Sequence, residues 1–532
     1  MSTDDDRDAR VTADLIRQPE HLKPAYDFIV CGSGSSGSVV ASRLAESYAN
    51  VLLIEAGGTD DVPSVMEPRM WPTNLGSERD WGFVAEKNPH LHNRALPMSM
   101  GKVLGGGSSI NVMLWARGHR SNWDYFAEQT RDPGWGYDAV RDLYRRIERW
   151  HGPKDPEYRG TDGPMHIEPN PALHPVALAT LDAAVQAGIP RYDSYNGVMM
   201  ERDGGCSLTE TATLNGKRHS VYRAYVAPKL HQPNLTVLRN TLVTRVLFKG
   251  RRAVGVEILR HGNCEQVVAS TEVVLSMGAL QTPKILMLSG IGDEQALGQF
   301  SIPVVQHLPG VGQNLQDHLS FGCMWEYREP IAPHGTGNEV TIYWKSQQQL
   351  NTPDLLLCQA EFPVPSPETA TWGIPEHGWT MFAGLAQPHS RGRVSLASAD
   401  PLAAPRIEHN ALSHPADLAA ARACIELMRD IGNASPFEPY VQREVLPGTR
   451  DPDAVDAFIR DAAVTYWHQS CTAKMGTDDM SVVDGSLRVH GIDNLRIADA
   501  SVMPRITTGN PMAPCVVIGE RAGSFIRDDH RL

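Results

Sequence analysis

Residues 26–58, YDFIVCGSGSSGSVVASRLAESYANVLLIEAGG, constrain the fold more than any other stretch of this chain. Phe28, Ile29 and Val30 form the short apolar run of a buried strand, which leads straight into Gly32-Ser-Gly34-Ser-Ser-Gly37. A helical pattern follows, with Val39, Val40 and Leu44 set among small residues. Gly32 permits the tight turn, Gly34 lets the backbone approach a pyrophosphate, and Gly37 lets the helix lie close on its strand. Ser35 and Ser36 open that helix, whose unpaired N–H groups and positive dipole end suit phosphates. A second strand, residues 51–54, runs into Glu55-Ala56, where a carboxylate can accept hydrogen bonds from ribose hydroxyls. Strand, glycines, helix, strand and acid in this order predict a dinucleotide site on a Rossmann-like α/β sheet. Glu55 argues against a cofactor with a 2′-phosphate, because two negative groups would meet; NAD and FAD both fit.

The chain has 532 residues, enough for two domains. Its net charge of −13 speaks against a basic surface for nucleic acid or anionic lipid, so neither is an expected partner. Asp4-Asp5-Asp6 places a solvated acidic tail within residues 1–24, and no basic-then-apolar leader is evident, so a cytoplasmic protein is expected. No segment reaches the ~18 consecutive apolar residues of a membrane span. The eight cysteines are scattered without CxxC spacing, which predicts reduced thiols and no zinc. His90 and His92 sit in a loop-like setting with Pro89, and are expected in a surface or cofactor-covering loop rather than a metal site; no metal is expected.

Residues 63–96 have little periodicity and much Pro, Asn and Trp, as in a long excursion over a domain surface. Gly101-Lys-Val103-Leu-Gly105-Gly106-Gly107-Ser108-Ser109-Ile110-Asn111 follows. Three successive glycines let backbone lie against something flat or anionic, with Ser108 and Ser109 as caps for a helix after them. Residues 234–259 are rich in β-branched and apolar positions, including Val243, and their second half predicts a strand pair turning at 249–252. Residues 273–276 predict a returning buried strand. Residues 151–222 and 313–461 are richer in proline and short strand candidates (355–357, 379–382, 392–397), with a helical run over 416–431.

From residue 26 to about 526 the chain resembles the glucose–methanol–choline (GMC) oxidoreductases, the FAD-dependent alcohol oxidases and dehydrogenases. Four ordered blocks carry the resemblance: residues 101–118; Gly278-Ala-Leu-Gln-Thr-Pro-Lys-Ile-Leu-Met-Leu-Ser-Gly-Ile-Gly292; Leu308-Pro-Gly-Val-Gly312-Gln-Asn-Leu-Gln-Asp-His318; and Leu495-Arg-Ile-Ala-Asp499-Ala500 through Gly509-Asn510-Pro511. The resemblance implies FAD as the dinucleotide, with backbone near Val243 at the adenine and Asp499 near the ribityl or pyrophosphate region. It implies a discontinuous FAD-binding domain (25–150, 223–312, 462–532) and a substrate-binding domain (151–222, 313–461) whose antiparallel sheet roofs the flavin ring. Some relatives bond FAD covalently through a histidine of the first block. Ile110 stands there and has no nucleophile, so non-covalent FAD is expected.

Flavin-dependent alcohol oxidation needs a base for the hydroxyl proton and a carbon held close to flavin N5. By resemblance His468 is the base, and an imidazole suits the task because its ordinary pKa of ~6.5 lets it accept a proton near neutrality. Gln469 and Cys471 depart from the family's common pattern beside it. Asn510 matches the partner that hydrogen-bonds the alcohol oxygen. Pro511 and Met512 start the terminal helix, whose dipole would face the reduced flavin. Choline-specific relatives carry a carboxylate where Ser320 stands, which favours an uncharged primary alcohol, aromatic or aliphatic, oxidised to the aldehyde. Phe382, Trp372, Trp467 and Met512 are candidate pocket walls. Transfer of electrons to O2 or to a quinone-like acceptor, as in choline dehydrogenase-like enzymes, is open, as is an FAD-containing lyase without net redox. Monomer and homodimer are both open.

Overall fold

The computed structural model describes residues 22–170 and 173–532; the acidic run at residues 4–6 lies outside them. Strand Ala25–Cys31 forms where expected, with Phe28, Ile29, Val30 and Cys31 each at most 1% exposed. Such side chains cannot face water on either side, so the sheet holding this strand must be covered on both faces, as parallel sheets are. It lies between Val51–Ile54 and Asn263–Leu275, both parallel to it. Leu235–Leu238 extends the sheet beyond Val51–Ile54, again in parallel. On the other side the long strand Asn263–Leu275 pairs antiparallel with Arg252–Arg260, which pairs with Leu242–Lys249 across the expected turn. The end of Asn263–Leu275 also receives the short parallel strand Leu495–Ile497, so the last part of the chain closes this seven-stranded sheet.

A second sheet is antiparallel throughout, in the order 441–446, 319–327, 378–385, 355–360, 340–344, 205–208. Residues 355–357 and 379–382 belong to it. The candidate at 392–397 does not: Arg393–Ser395 pairs with Arg406–Glu408 in a separate two-stranded ribbon. Val464–Thr465 pairs with Ser320 and Leu319, so the second sheet reaches into the segment grouped by sequence with the first. Helix Pro415–Gly432 lies across this sheet. Trp325, Trp379 and Phe437 stack beneath it with ring centroids 4.5 Å apart in each pair.

Two helices fix the cavity between the sheets. Helix Ser35–Ala45 follows the glycine turn, and terminal helix Met512–His530 packs against it. The close approach runs through Gly519, where a Cβ would stand 2.7 Å from both the Ser36 carbonyl oxygen and the Val39 Cβ. Arg43 and Glu520 join the same two helices by a two-armed ion pair at 2.8 and 2.7 Å, and the Tyr225 hydroxyl donates to Glu520. The helix expected after Ser109 is absent. Gly106–Ser109 is a single 3-10 turn, and the two serine hydroxyls donate backward, Ser108 to Gly105 and Ser109 to Leu104. They brace the glycine loop instead of capping a helix. Residues 63–96 pack on the second sheet, with Phe83, Leu91 and Leu96 buried in its core.

Candidate active site

One continuous cavity runs from the first glycine turn to the C-terminal segment. Gly32, Gly34, Ser35, Ser36, Glu55 and Ala56 line one end. Gly101, Gly106, Ser108, Asn111, Val243, Asp499 and Ala500 line its length, and Trp467, His468, Phe382, Asn510, Pro511 and Met512 line the other end. Four expected residues stand outside it. Gly37 serves packing, since a Cβ there would meet the Gly32 carbonyl oxygen at 1.9 Å. Val103 is fully buried and bridges to Gly58. Ser320 is fully buried in the second sheet, its hydroxyl donating to the Ala383 carbonyl, so its neutrality says nothing about charge in the pocket. Trp372 is 43% exposed and packs against Phe458 outside the cavity. His90 and His92 also lie outside, His92 bonding Asp461 at 2.7 Å. Among the described residues no group of side chains is arranged to hold a metal ion.

At the first end, Gly32 has φ +99°, and a Cβ on it would meet the Ser276 carbonyl oxygen at 2.2 Å. Glycine is required there. Helix Ser35–Ala45 begins at Gly34 with no side-chain cap, leaving its N–H groups free toward the cavity. Glu55 Oε2 accepts from the N–H and hydroxyl of Ser33 at 3.0 and 2.7 Å, and Oε1 accepts from Gly57 N–H at 2.8 Å. Three of about four acceptor positions are used, which leaves one for a ribose hydroxyl. Burial pushes the Glu55 carboxyl up, and these hydrogen bonds oppose that. Asp499 is more fully spent: it accepts from Gly278 N–H, the Thr282 hydroxyl and Ser501 N–H. It pins two turns together and presents backbone to the cavity.

At the other end the turn carrying His468 is built around Asp317. This buried carboxylate accepts from His468 N–H at 2.8 Å, from the Gln469 amide at 3.1 Å and from the Thr465 hydroxyl. Gln469, a departure from the family pattern, therefore holds the turn. Trp467 adopts φ +59°, a conformation a bulky residue takes only when its surroundings impose it. Tyr466 stacks on the His468 ring at 4.9 Å. His468 Nε2 stands 3.1 Å from Asn510 Nδ2, and its Nδ1 stands 2.9 Å from His318 Nδ1. With the amide donating, Nε2 is the unprotonated nitrogen, so His468 Nδ1–H donates to His318. Burial, and secondly His318, push the His468 pKa well below 6.5. Burial takes His318 down to about 4. A neutral imidazole with a bare Nε2 beside an amide can accept a proton from a hydroxyl placed between them.

Asp317, His318 and Tyr466 escaped sequence reasoning as neighbours of His468. The third block ends in Asp317-His318, but nothing in one sequence says that this pair meets residue 468.

The chain belongs to the GMC oxidoreductase family: residues 26–320 and 388–519 match its N- and C-terminal models. It is an FAD-dependent alcohol oxidoreductase. It is 37% identical to an oxygen-dependent choline dehydrogenase of Sinorhizobium fredii, over 94% of this chain and 95% of that one. Among solved structures it is similar to pyridoxine 4-oxidase from Mesorbium loti (TM-score 0.90, 30% identity, 95% and 99% of the two chains). It is also similar to a formate oxidase (TM-score 0.87, 25% identity, 96% and 100%). The cavity fits FAD. Gly34 and Gly107 leave open space where a side chain would intrude, and both helices that face the cavity have uncapped N-termini. Ile110 lines it and offers only an alkyl chain to the cofactor.

Proposed function

We propose that this enzyme oxidises an uncharged primary alcohol to the aldehyde, with His468 as base and Asn510 as the group that holds the alcohol oxygen. The observation that supports it is the 3.1 Å pair of His468 Nε2 and Asn510 Nδ2 in the wall of the cavity that begins at Gly32. An alcohol oxygen taken between them accepts the amide N–H and gives its proton to Nε2, where His468 keeps it. Bound FAD supplies the acceptor for the hydride that leaves the carbon. Proton and hydride together account for the two electrons and two hydrogens lost as the alcohol becomes an aldehyde. Gly32, Gly34, Ser35, Ser36 and Glu55 would hold the adenosine and phosphates, and Gly106, Ser108, Asn111, Pro511 and Met512 the ring end.

The lining supports an uncharged substrate. Its only carboxylates are Glu55 and Asp499, both occupied by protein donors, and the reactive end is walled by Phe362, Phe382, Tyr466 and Trp467. Pyridoxine 4-oxidase, at 30% identity, supports a primary alcohol on an aromatic ring. A second reading, choline, is favoured by the 37% identity to choline dehydrogenase and by these same aromatic faces, which attract quaternary ammonium groups. An anaerobic panel of benzylic, aliphatic and choline substrates, followed by air, tests both. Flavin bleaching fastest with uncharged alcohols is the expected result; bleaching by choline alone overturns it. Carbonyl release without bleaching would instead mark a lyase. Peroxide on admitting air identifies O2 as acceptor, and its absence points to a quinone-like one.

A further inference from the structure

Arg218 is 2% exposed and stands on the short strand Lys217–Arg218. Its Nε donates to the Val65 carbonyl at 2.7 Å, and its Nη1 to the Ser108 carbonyl at 3.2 Å and the Asn111 side-chain oxygen at 2.8 Å. Nη2 has no partner, and no carboxylate among the described residues pairs with the group. Four other buried arginines are treated differently. Arg117, Arg159, Arg429 and Arg496 each bridge to a glutamate. A desolvated cation surrounded by neutral acceptors is costly, and proteins ordinarily compensate it.

Two of the three acceptors of Arg218 are cavity walls. Ser108 and Asn111 line it, and the Asn111 amide nitrogen reaches on to Met512 Sδ at 3.0 Å, two residues beyond Asn510. The cation therefore lies directly behind the cavity wall, at a stretch that the Asn111–Met512 contact joins to the segment carrying Asn510. We propose that Arg218 is the fixed counter-charge for the flavin ring, favouring the bound cofactor whenever the ring becomes negative. Burial pushes the guanidinium down to about 9, so it stays charged at neutral pH.

The test compares holoenzyme carrying Arg218→Met or Arg218→Lys with wild type. Sulfite, which adds to flavin N5 to leave a negative ring, is titrated by loss of visible flavin absorbance, and the midpoint potential is measured against reference dyes. Arg218→Met is expected to weaken sulfite binding at least tenfold and to lower the potential by about 30 mV or more, the equivalent of tenfold for a two-electron couple. At pH 6, where a lysine there keeps its proton, Arg218→Lys should stay within about threefold of wild type. Unchanged sulfite affinity and potential in Arg218→Met overturn the proposal, as does equal loss in both variants, which would mean shape and not charge matters. If Arg218→Met loses FAD but its remaining flavin binds sulfite like wild type, the charge serves the phosphates and the ring assignment falls. Should Arg218→Met not fold, Arg218→Lys decides alone. A buried lysine loses its proton more readily, so its sulfite affinity relative to wild type should fall as pH rises from 6 to 9. A flat ratio overturns the assignment.

Discussion

At the scale of single residues, His468 is held from every side: by Asn510 at Nε2, His318 at Nδ1, Tyr466 on its face and Asp317 through its backbone N–H. Replacing it with Ala removes the proposed base and leaves the far end of the cavity untouched. Flavin reduction by alcohol in a stopped-flow experiment should then fall by about 10²- to 10⁴-fold, with FAD still bound. Reduction near the wild-type rate would exclude His468 as base. The pH profile follows from the same burial. A base must be neutral, and His468 is pushed well below its ordinary 6.5, so it is already neutral at pH 6.5 and above. The rate of reduction should be level there and decline only on the acid side of 6.5, as protons reach Nε2. An inflection at or above pH 6.5 would contradict this environment.

At the scale of elements, two features carry the site. The first is the turn from Thr465 to Gln469, organised by Asp317. Asp317→Ala removes three hydrogen bonds from the turn, and a displacement of the imidazole by about 1 Å can cost 10²-fold. We expect kcat to drop by about 10- to 100-fold while FAD content is kept; steady-state kinetics with flavin quantification would show it. The second is the contact of helix Ser35–Ala45 with helix Met512–His530 through Gly519. Gly519→Leu forces these helices apart and should cost about 1–3 kcal/mol or more, seen as earlier denaturant unfolding and easier loss of FAD. Both helices begin at the cavity, so their spacing decides whether the two uncapped N-termini address one bound molecule.

At the scale of the whole molecule, burial of neutral histidines makes stability depend on pH. His174, His219 and His318 are each pushed down to about 4 by burial, and His468 lies well below 6.5. An unfolded chain takes protons on these rings near 6.5, whereas the folded one keeps His174, His219 and His318 neutral until about 4 and His468 neutral well below 6.5. The unfolded state therefore binds more protons in that window, and stability falls as pH falls through it. Buried carboxyls pushed up by burial, Glu361 to about 7 with Glu55, Asp60, Glu339 and Asp499, act in the opposite sense. His119 and His166, also pushed down by burial, and Glu46 and Glu148, held down against burial by their cationic partners, add to the loss on acidification. The thermal midpoint of the holoenzyme should decrease steadily from pH 6.5 to 4, and a midpoint that rises across this range would contradict the balance. No helix among the described residues is long and apolar enough to cross a membrane.

The sequence by itself determined the dinucleotide turn, because Gly32 and its neighbours act over a few residues of backbone and need no distant partner to be recognised. It also determined the family, since four ordered blocks span most of the chain; with the family came FAD, and with it the proposal of His468 and Asn510 as the reacting pair. The strand pair at 242–260, the returning strand before Gly278 and the helix after Pro415 were legible from local periodicity. Tertiary structure alone decided the rest. Ser320, expected in the pocket, faces into its own sheet, because strand register sets which side a residue presents and one sequence does not reveal register. Ser108 and Ser109 brace a loop instead of capping a helix, since the Gly106–Ser109 turn does not propagate. Asp317 and His318 meet His468 across 151 and 150 positions of chain, and Arg218 comes to lie behind Asn111 across 107. Such contacts are products of packing two sheets around one cavity, and no local pattern encodes them.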